Sequence, residues 1–173
     1  MKYEPKKIGK KPEAIALILF AVAMVTTLTS NAVATSMQWI FQAATILLLG
    51  IFIYILVRFS FTDYMYEIKA KSKMETARFA DIPADRLQLY IHKKQSRRGY
   101  AAEFVCDLDE IESIEEITDR SEKKKGKRFL YLRNMSGGRK YLLTVKNDSA
   151  PILLYLEINE DGKEFLRFIE ERI

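Results

Sequence analysis

The residue types able to do chemistry are few in this chain, and they are scattered. His92 and Cys106 are its single histidine and single cysteine. A zinc site draws three or four such ligands, so no metal or other cofactor is implied, and one cysteine makes no intrachain disulfide. His92 has no nucleophile near it in sequence and falls on an alternating stretch, which predicts a half-exposed strand position. Cys106 alternates with Phe104 and Ala102, which predicts core packing. Asp107 to Asp119 holds seven acids and no base. Its spacing lacks the glycine and terminal glutamate of a calcium loop. It reads as a solvated edge that discourages strand-to-strand aggregation, with a dock for a basic partner as the alternative. Ser136-Gly137-Gly138 lies between two strand-like runs and so predicts a hairpin turn rather than a phosphate-binding loop. No catalytic constellation emerges, and the expectation is a non-enzyme.

Two basic clusters are the strongest binding candidates. One is Lys93, Lys94, Arg97 and Arg98; the other is Lys123, Lys124, Lys125, Lys127 and Arg128. A basic side chain near an anionic lipid surface contributes ~1 kcal/mol, so such loops could orient a tethered domain on anionic phospholipid. The net charge of +5 does not signal nucleic acid. Lys2, Lys6, Lys7, Lys10 and Lys11 against Glu4 and Glu13 give +3 before Ala14, and Arg58 adds one. From Phe59 onward 22 basic side chains face 21 acidic ones. The excess flanks one uncharged stretch, which is a topology signal and not the footprint of a nucleic-acid binder.

That stretch, Ala14 to Val57, holds no charged residue. Two apolar runs, Ala14 to Thr29 and Trp39 to Val57, are joined by Ser30 to Gln38. About 20 such residues span a ~30 Å hydrocarbon layer as a helix. A transmembrane hairpin is expected over 14–58, after a basic tail over 1–13 and before a cytoplasmic domain over 59–173. The positive-inside rule places both termini of this multi-pass cell-membrane protein in the cytoplasm. Ala32-Val33-Ala34 resembles a signal-peptide cleavage site, but a second span starts within a few residues of it and favours an uncleaved hairpin. Thr26 and Ser30, four apart, share a face of the first span and are the candidate intramembrane interface. Gln42 is the strongly polar residue of the second. No acidic or basic residue lies within either run, which argues against a transporter or channel.

Period-two alternation dominates after Thr62. Tyr64, Tyr66 and Ile68 define a first strand, and Leu87, Leu89 and Ile91 a second. Ala102, Phe104 and Cys106 make a third, antiparallel to the second. A short turn and a fourth strand are expected over the acidic run. A fifth strand begins at Phe129, with a hairpin through Ser136-Gly137-Gly138 to a sixth from Tyr141, and Ile152 to Ile158 is the seventh. Asp161 with Glu164 looks like an N-cap and capping box opening a final helix, with Phe165, Leu166, Ile169 and Ile173 on one face. A helix this short must dock to persist.

The paired spans, Thr62-Asp63-Tyr64-Met65-Tyr66-Glu67-Ile68, Asp107-Leu108-Asp109-Glu110-Ile111-Glu112-Ser113-Ile114 and Glu164-Phe165-Leu166-Arg167-Phe168-Ile169 together resemble bacterial pleckstrin-homology-like (PH-like) proteins with an N-terminal transmembrane hairpin. The resemblance covers nearly the whole chain. It implies an α+β membrane protein in which the hairpin precedes a PH-like seven-stranded antiparallel barrel capped by a C-terminal helix. Lys71, Lys73 and Arg78 are scattered in the loop after the first strand, and the final helix carries Phe165 and Phe168 but no Trp, so inositol-phosphate recognition is not implied. The expected role is a non-enzymatic binding module displayed at the membrane surface for a still unidentified protein partner. An integral subunit of a larger membrane complex and an anionic-lipid sensor are the alternatives.

Overall fold

The computed structural model describes residues 1–33, 35–71, 81–94, 99–118, 125–135 and 137–173. The chain divides into two compact units, Gly9–Thr62 on one hand and Met1–Ile8 with Asp63–Ile173 on the other.

The first unit is a pair of helices, α1 (Lys11–Ala32) and α2 (Thr35–Ile55), the latter continued by a π-helical turn at Leu56–Ser60. Pro12 falls in the first turn of α1, where a missing N–H costs nothing. Phe20 packs against Phe52 at 5.5 Å between ring centroids, and Thr26 Oγ1 lies 2.9 Å from Thr45 Oγ1. Contacts therefore converge toward the link, as in an antiparallel pair. Both helices are long and apolar enough to cross a membrane. Leu17 and Ile46 are 71% and 72% exposed, so these are not the covered helices of a soluble core.

The second unit is α+β. Sheet A runs β1-β2-β3-β4, from β1 (Lys2–Tyr3), β2 (Tyr64–Ala70), β3 (Leu87–Lys94) and β4 (Tyr100–Asp107). Sheet B runs β5-β7-β8-β6, from β5 (Ile111–Glu116), β6 (Lys127–Tyr131), β7 (Lys140–Val145) and β8 (Ile152–Glu157). One core joins the sheets. Tyr66, Ile68, Leu89 and Ile91 enter it from sheet A, Leu143, Leu154 and Leu156 from sheet B. Helix α3 (Lys163–Glu170) adds Phe165, Leu166 and Ile169, the apolar side that keeps so short a helix in place.

The seven strands anticipated by alternation are all present as β2 to β8, and β3 pairs with β4 antiparallel. The turn and strand over the acidic run are also present, as a 3-10 turn at Leu108–Glu110 leading into β5.

The expected seven-stranded antiparallel barrel is not what forms. Among the described residues there are two separate four-stranded sheets that do not close, with an eighth strand drawn from the N-terminal tail. The fifth and sixth strands do not form a hairpin: β7 lies between β5 and β8, and β6 runs parallel to β8. Alternation marks a strand but not its neighbour. The physical cause lies in β8, whose consecutive Leu153 and Leu154 are both fully buried. A strand covered on both faces belongs inside a sheet, so β8 takes partners on both sides.

Asp161 does not cap α3 either. The cap position is Gly162, without a side-chain bond, because the Asp161 carboxylate is engaged by the tail. Ile173 lies beyond the helix and is exposed.

Candidate functional site

Strand β4 terminates sheet A, and among the described residues its outer edge pairs with no strand. It is eight residues long. An edge of that length offers a row of backbone donors and acceptors to an extended segment. Phe104 faces inward against Phe129, 5.9 Å between centroids, while Val105 projects outward and is 42% exposed. The register between β3 and β4 shifts at Ile91 and His92, which leaves Glu103 as a bulge. Such a bulge bends the strand and limits uncontrolled edge pairing.

The opposite edge of the sheet, on β2, is dressed by the tail. Lys2 pairs with Glu67 and Tyr3 with Tyr66. Tyr3 is buried among Tyr66 and Phe165. Its hydroxyl accepts from the Asn159 N–H at 2.9 Å and donates to Asp161 Oδ1 at 3.1 Å, and burial pushes its pKa up to about 12. Lys6 Nζ reaches Asp161 Oδ2 at 2.8 Å. Arg133 donates to the Pro5 carbonyl at 2.7 Å, and Asn134 Nδ2 donates to the Lys6 carbonyl at 2.9 Å. Tyr100, at the start of β4, donates to Glu4 at 3.4 Å. The tail thus touches both ends of sheet A.

This clasp rests on Glu157, which is 0% exposed. Its carboxylate accepts from the Asn134 backbone N–H at 2.8 Å, from Asn134 Nδ2, and from Asn159 Nδ2 at 3.4 Å. Its own N–H donates to the Tyr66 hydroxyl, which donates in turn to the Tyr131 carbonyl at 2.6 Å. A Cβ on Gly138 would stand 2.5 Å from the Glu157 carboxylate. With φ of +75° as well, that position is suited only to glycine. Gly138, read from sequence as part of a hairpin turn, instead brings the backbone over a buried acid.

A second polar group lies on the other face of sheet A. Glu67 Oε2 is 2.8 Å from Lys69 Nζ and 3.1 Å from His92 Nε2, and its Oε1 is 3.2 Å from Lys2 Nζ. Burial pushes the Glu67 pKa up, but the hydrogen bonds from Lys69 and Lys2 together outweigh it and hold the group below its usual range. His92 is 8% exposed, not half-exposed, because it stacks on Tyr90 and meets this carboxylate. Cys106 is buried in the core.

Five of the nine candidate basic residues are among the described ones. Arg97, Arg98, Lys123 and Lys124 lie outside the described residues, as do Lys73 and Arg78. Lys93 pairs with Glu103 at 3.8 Å and Lys94 with Asp63 at 3.4 Å. Lys125 and Arg128 are exposed, and Lys127 sits over the Phe129 ring at 5.1 Å. Within the acidic run, Asp107 and Glu110 form a capping box around the 3-10 turn, and Lys71 reaches Asp107 at 2.6 Å. In the helical pair, Thr26 Oγ1 meets Thr45 Oγ1, and Ser30 lines a cleft that Thr45 also borders.

Sequence reasoning missed Asn134, Glu157 and Asn159, since nothing in a lone acid at the end of an apolar strand marks it as buried. The one available signal was Gly138, which makes room for it. Compared with known proteins, the chain matches no family model, no curated protein and no solved structure.

Proposed function

We propose that the chain is a membrane-anchored, non-enzymatic binding module whose β4 edge receives an extended segment of a protein partner at the cytoplasmic surface. The observation that carries this reading is the unpaired outer edge of β4 beside a β2 edge already dressed by the tail. Strand addition uses backbone groups for affinity and neighbouring side chains for selection. Here Val105 supplies an exposed apolar contact.

The anchoring half of the reading is supported by the chain path. Ile8 and Asp63 belong to one compact unit, so the apolar pair between them leaves that unit and returns to it. With both helices across a bilayer, both ends then lie on one side. Lys10, Lys11 and Arg58 next to the spans favour the cytoplasmic side. Removal of the chain before Thr35 would strip β1 from sheet A, which favours an uncleaved hairpin. The order of two sheets and a C-terminal helix supports an opened variant of the PH-like plan, from which the parallel β6–β8 pair departs.

The test is co-purification of the full chain from detergent-solubilised membranes, with Val105→Lys as the comparison. An edge lysine blocks strand addition without entering the core. Loss of a specific partner in Val105→Lys, together with partner-dependent protection of the β4 amides from hydrogen exchange, is the expected result. An unchanged partner set, or protection confined to other strands, rejects the edge as the site.

A further inference from the structure

Within the helical pair, Thr27, Ser30, Gln42, Thr45 and Ile46 line a cleft of about 280 Å³. The deeper hydroxyls are satisfied. Thr26 Oγ1 lies 2.9 Å from Thr45 Oγ1, and Thr26, Thr27 and Thr45 each have a carbonyl of their own helix within hydrogen-bond distance, so every one of these hydroxyl protons has an acceptor. The two remaining polar side chains differ. Ser30 is only 5% exposed and lines the cleft, yet its hydroxyl forms no hydrogen bond among the described residues. The Gln42 carboxamide is exposed on the same cleft and forms none either.

Position makes this costly. The helical run Thr35–Ser60 has 26 residues, about 39 Å at 1.5 Å per residue against a ~30 Å hydrocarbon layer. Centred on that layer, Gln42 lies roughly 6 Å inside its boundary. Lipid chains offer no partner to a carboxamide or a hydroxyl there.

A carboxamide has two donors and an acceptor and is therefore its own complement. A two-fold interface places the same residue from each copy face to face. We infer that two copies of the chain associate in the membrane through Gln42, the paired carboxamides donating to one another and each Ser30 hydroxyl completing the set. This rests on the membrane reading above and is independent of the β4 edge. It also separates the two residues that share a face of α1: Thr26 meets Thr45 across the helical pair, and Ser30 lines the cleft.

The experiment is fluorescence energy transfer between donor- and acceptor-labelled full chains in mixed phosphatidylcholine and phosphatidylglycerol vesicles, followed as the protein-to-lipid ratio is lowered. Transfer that falls on dilution in the wild type, with association weakened about tenfold in Gln42→Leu and by less in Ser30→Ala, is the expected outcome. Unchanged helicity in Gln42→Leu keeps the comparison valid, and Gln42→Asn, which retains the carboxamide, should restore part of the transfer. Chains that resist extraction by alkaline carbonate but stay monomeric at every ratio overturn the dimer alone. Equal association in wild type and Gln42→Leu also overturns it. Release by carbonate overturns the membrane reading together with the dimer.

Discussion

Arg133 Nη2 lies 2.8 Å from Asp63 Oδ1, and the same guanidinium holds the carbonyl of Pro5. Pro5 precedes the apolar helices and Asp63 follows them. One planar, multi-donor side chain thereby fixes both ends of the domain from which the helical pair departs. Lysine, with a single point charge, could not serve both acceptors in the same way. Arg133→Lys should lower stability by about 1 kcal/mol, read from denaturant unfolding of the detergent-solubilised chain. It should also speed proteolytic cleavage in the first eight residues.

Asn134 carries the next link. Its Oδ1 accepts from the Ile8 N–H at 2.7 Å, while its Nδ2 serves the Lys6 carbonyl and Glu157. Asn134→Ala removes a donor from a carboxylate that has no contact with water. The expected loss is roughly 3 kcal/mol, the upper range for a buried charged acceptor. Asn134→Ala combined with Glu157→Gln should lose less than the two single losses added together, because each disables the same network.

Tyr66→Phe isolates the hydroxyl. The ring packing with Tyr3 and Phe165 is retained, but the bonds to Tyr131 and Glu157 are lost. A fall of about 1–2 kcal/mol in unfolding free energy follows. Thermal unfolding with unchanged near-ultraviolet dichroism outside the transition would identify it as a hydrogen-bond loss.

Glu67 sets an acid limit. Its pKa is below the ordinary value in the folded chain, where Lys2, Lys69 and His92 face it. The unfolded chain therefore binds the proton first as pH falls. The contribution is complete above about pH 5, and is lost progressively as pH drops through the ordinary glutamate value and on to the folded one. Glu67→Gln should flatten that part of the stability–pH curve, and an unaltered acid slope would assign it to other carboxylates.

Cys106 provides a reporter of the core. Burial pushes its thiol up to about 12, with Glu110 and Asp107 adding to the effect. At pH 8 the native chain should resist iodoacetamide, since the thiolate is the reactive form. Denaturant should release labelling at the rate of global unfolding. Rapid labelling of the native chain would mean that β4 opens locally.

Much of the domain was legible because strands announce themselves by alternation. Tyr64, Tyr66 and Ile68, or Leu87, Leu89 and Ile91, need no partner to reveal which side is buried. The two apolar runs were equally plain. Pairing was not legible, since Leu130 and Leu154 carry no mark of whether their strands run parallel. Lys2 and Tyr3 make a strand too short for periodicity, in a segment whose lysines read as a topology signal. The open outer edge of β4 among the described residues is a property of sheet order, which no local pattern encodes. His92 was misjudged for a related reason: an alternating position gives the face, while burial of that face depends on neighbours such as Glu67 and Tyr90 brought in from afar.

The bond between Tyr3 and Asp161 spans 158 positions. During synthesis Tyr3 is made long before its acceptor exists, and the apolar helices are made in between. Loop closure on this scale delays native pairing, so sheet A cannot acquire its clasp until almost all of the domain has been translated. The tail residues must wait unpaired through that interval. Completion of the domain thus becomes a late event that follows the synthesis of both helices.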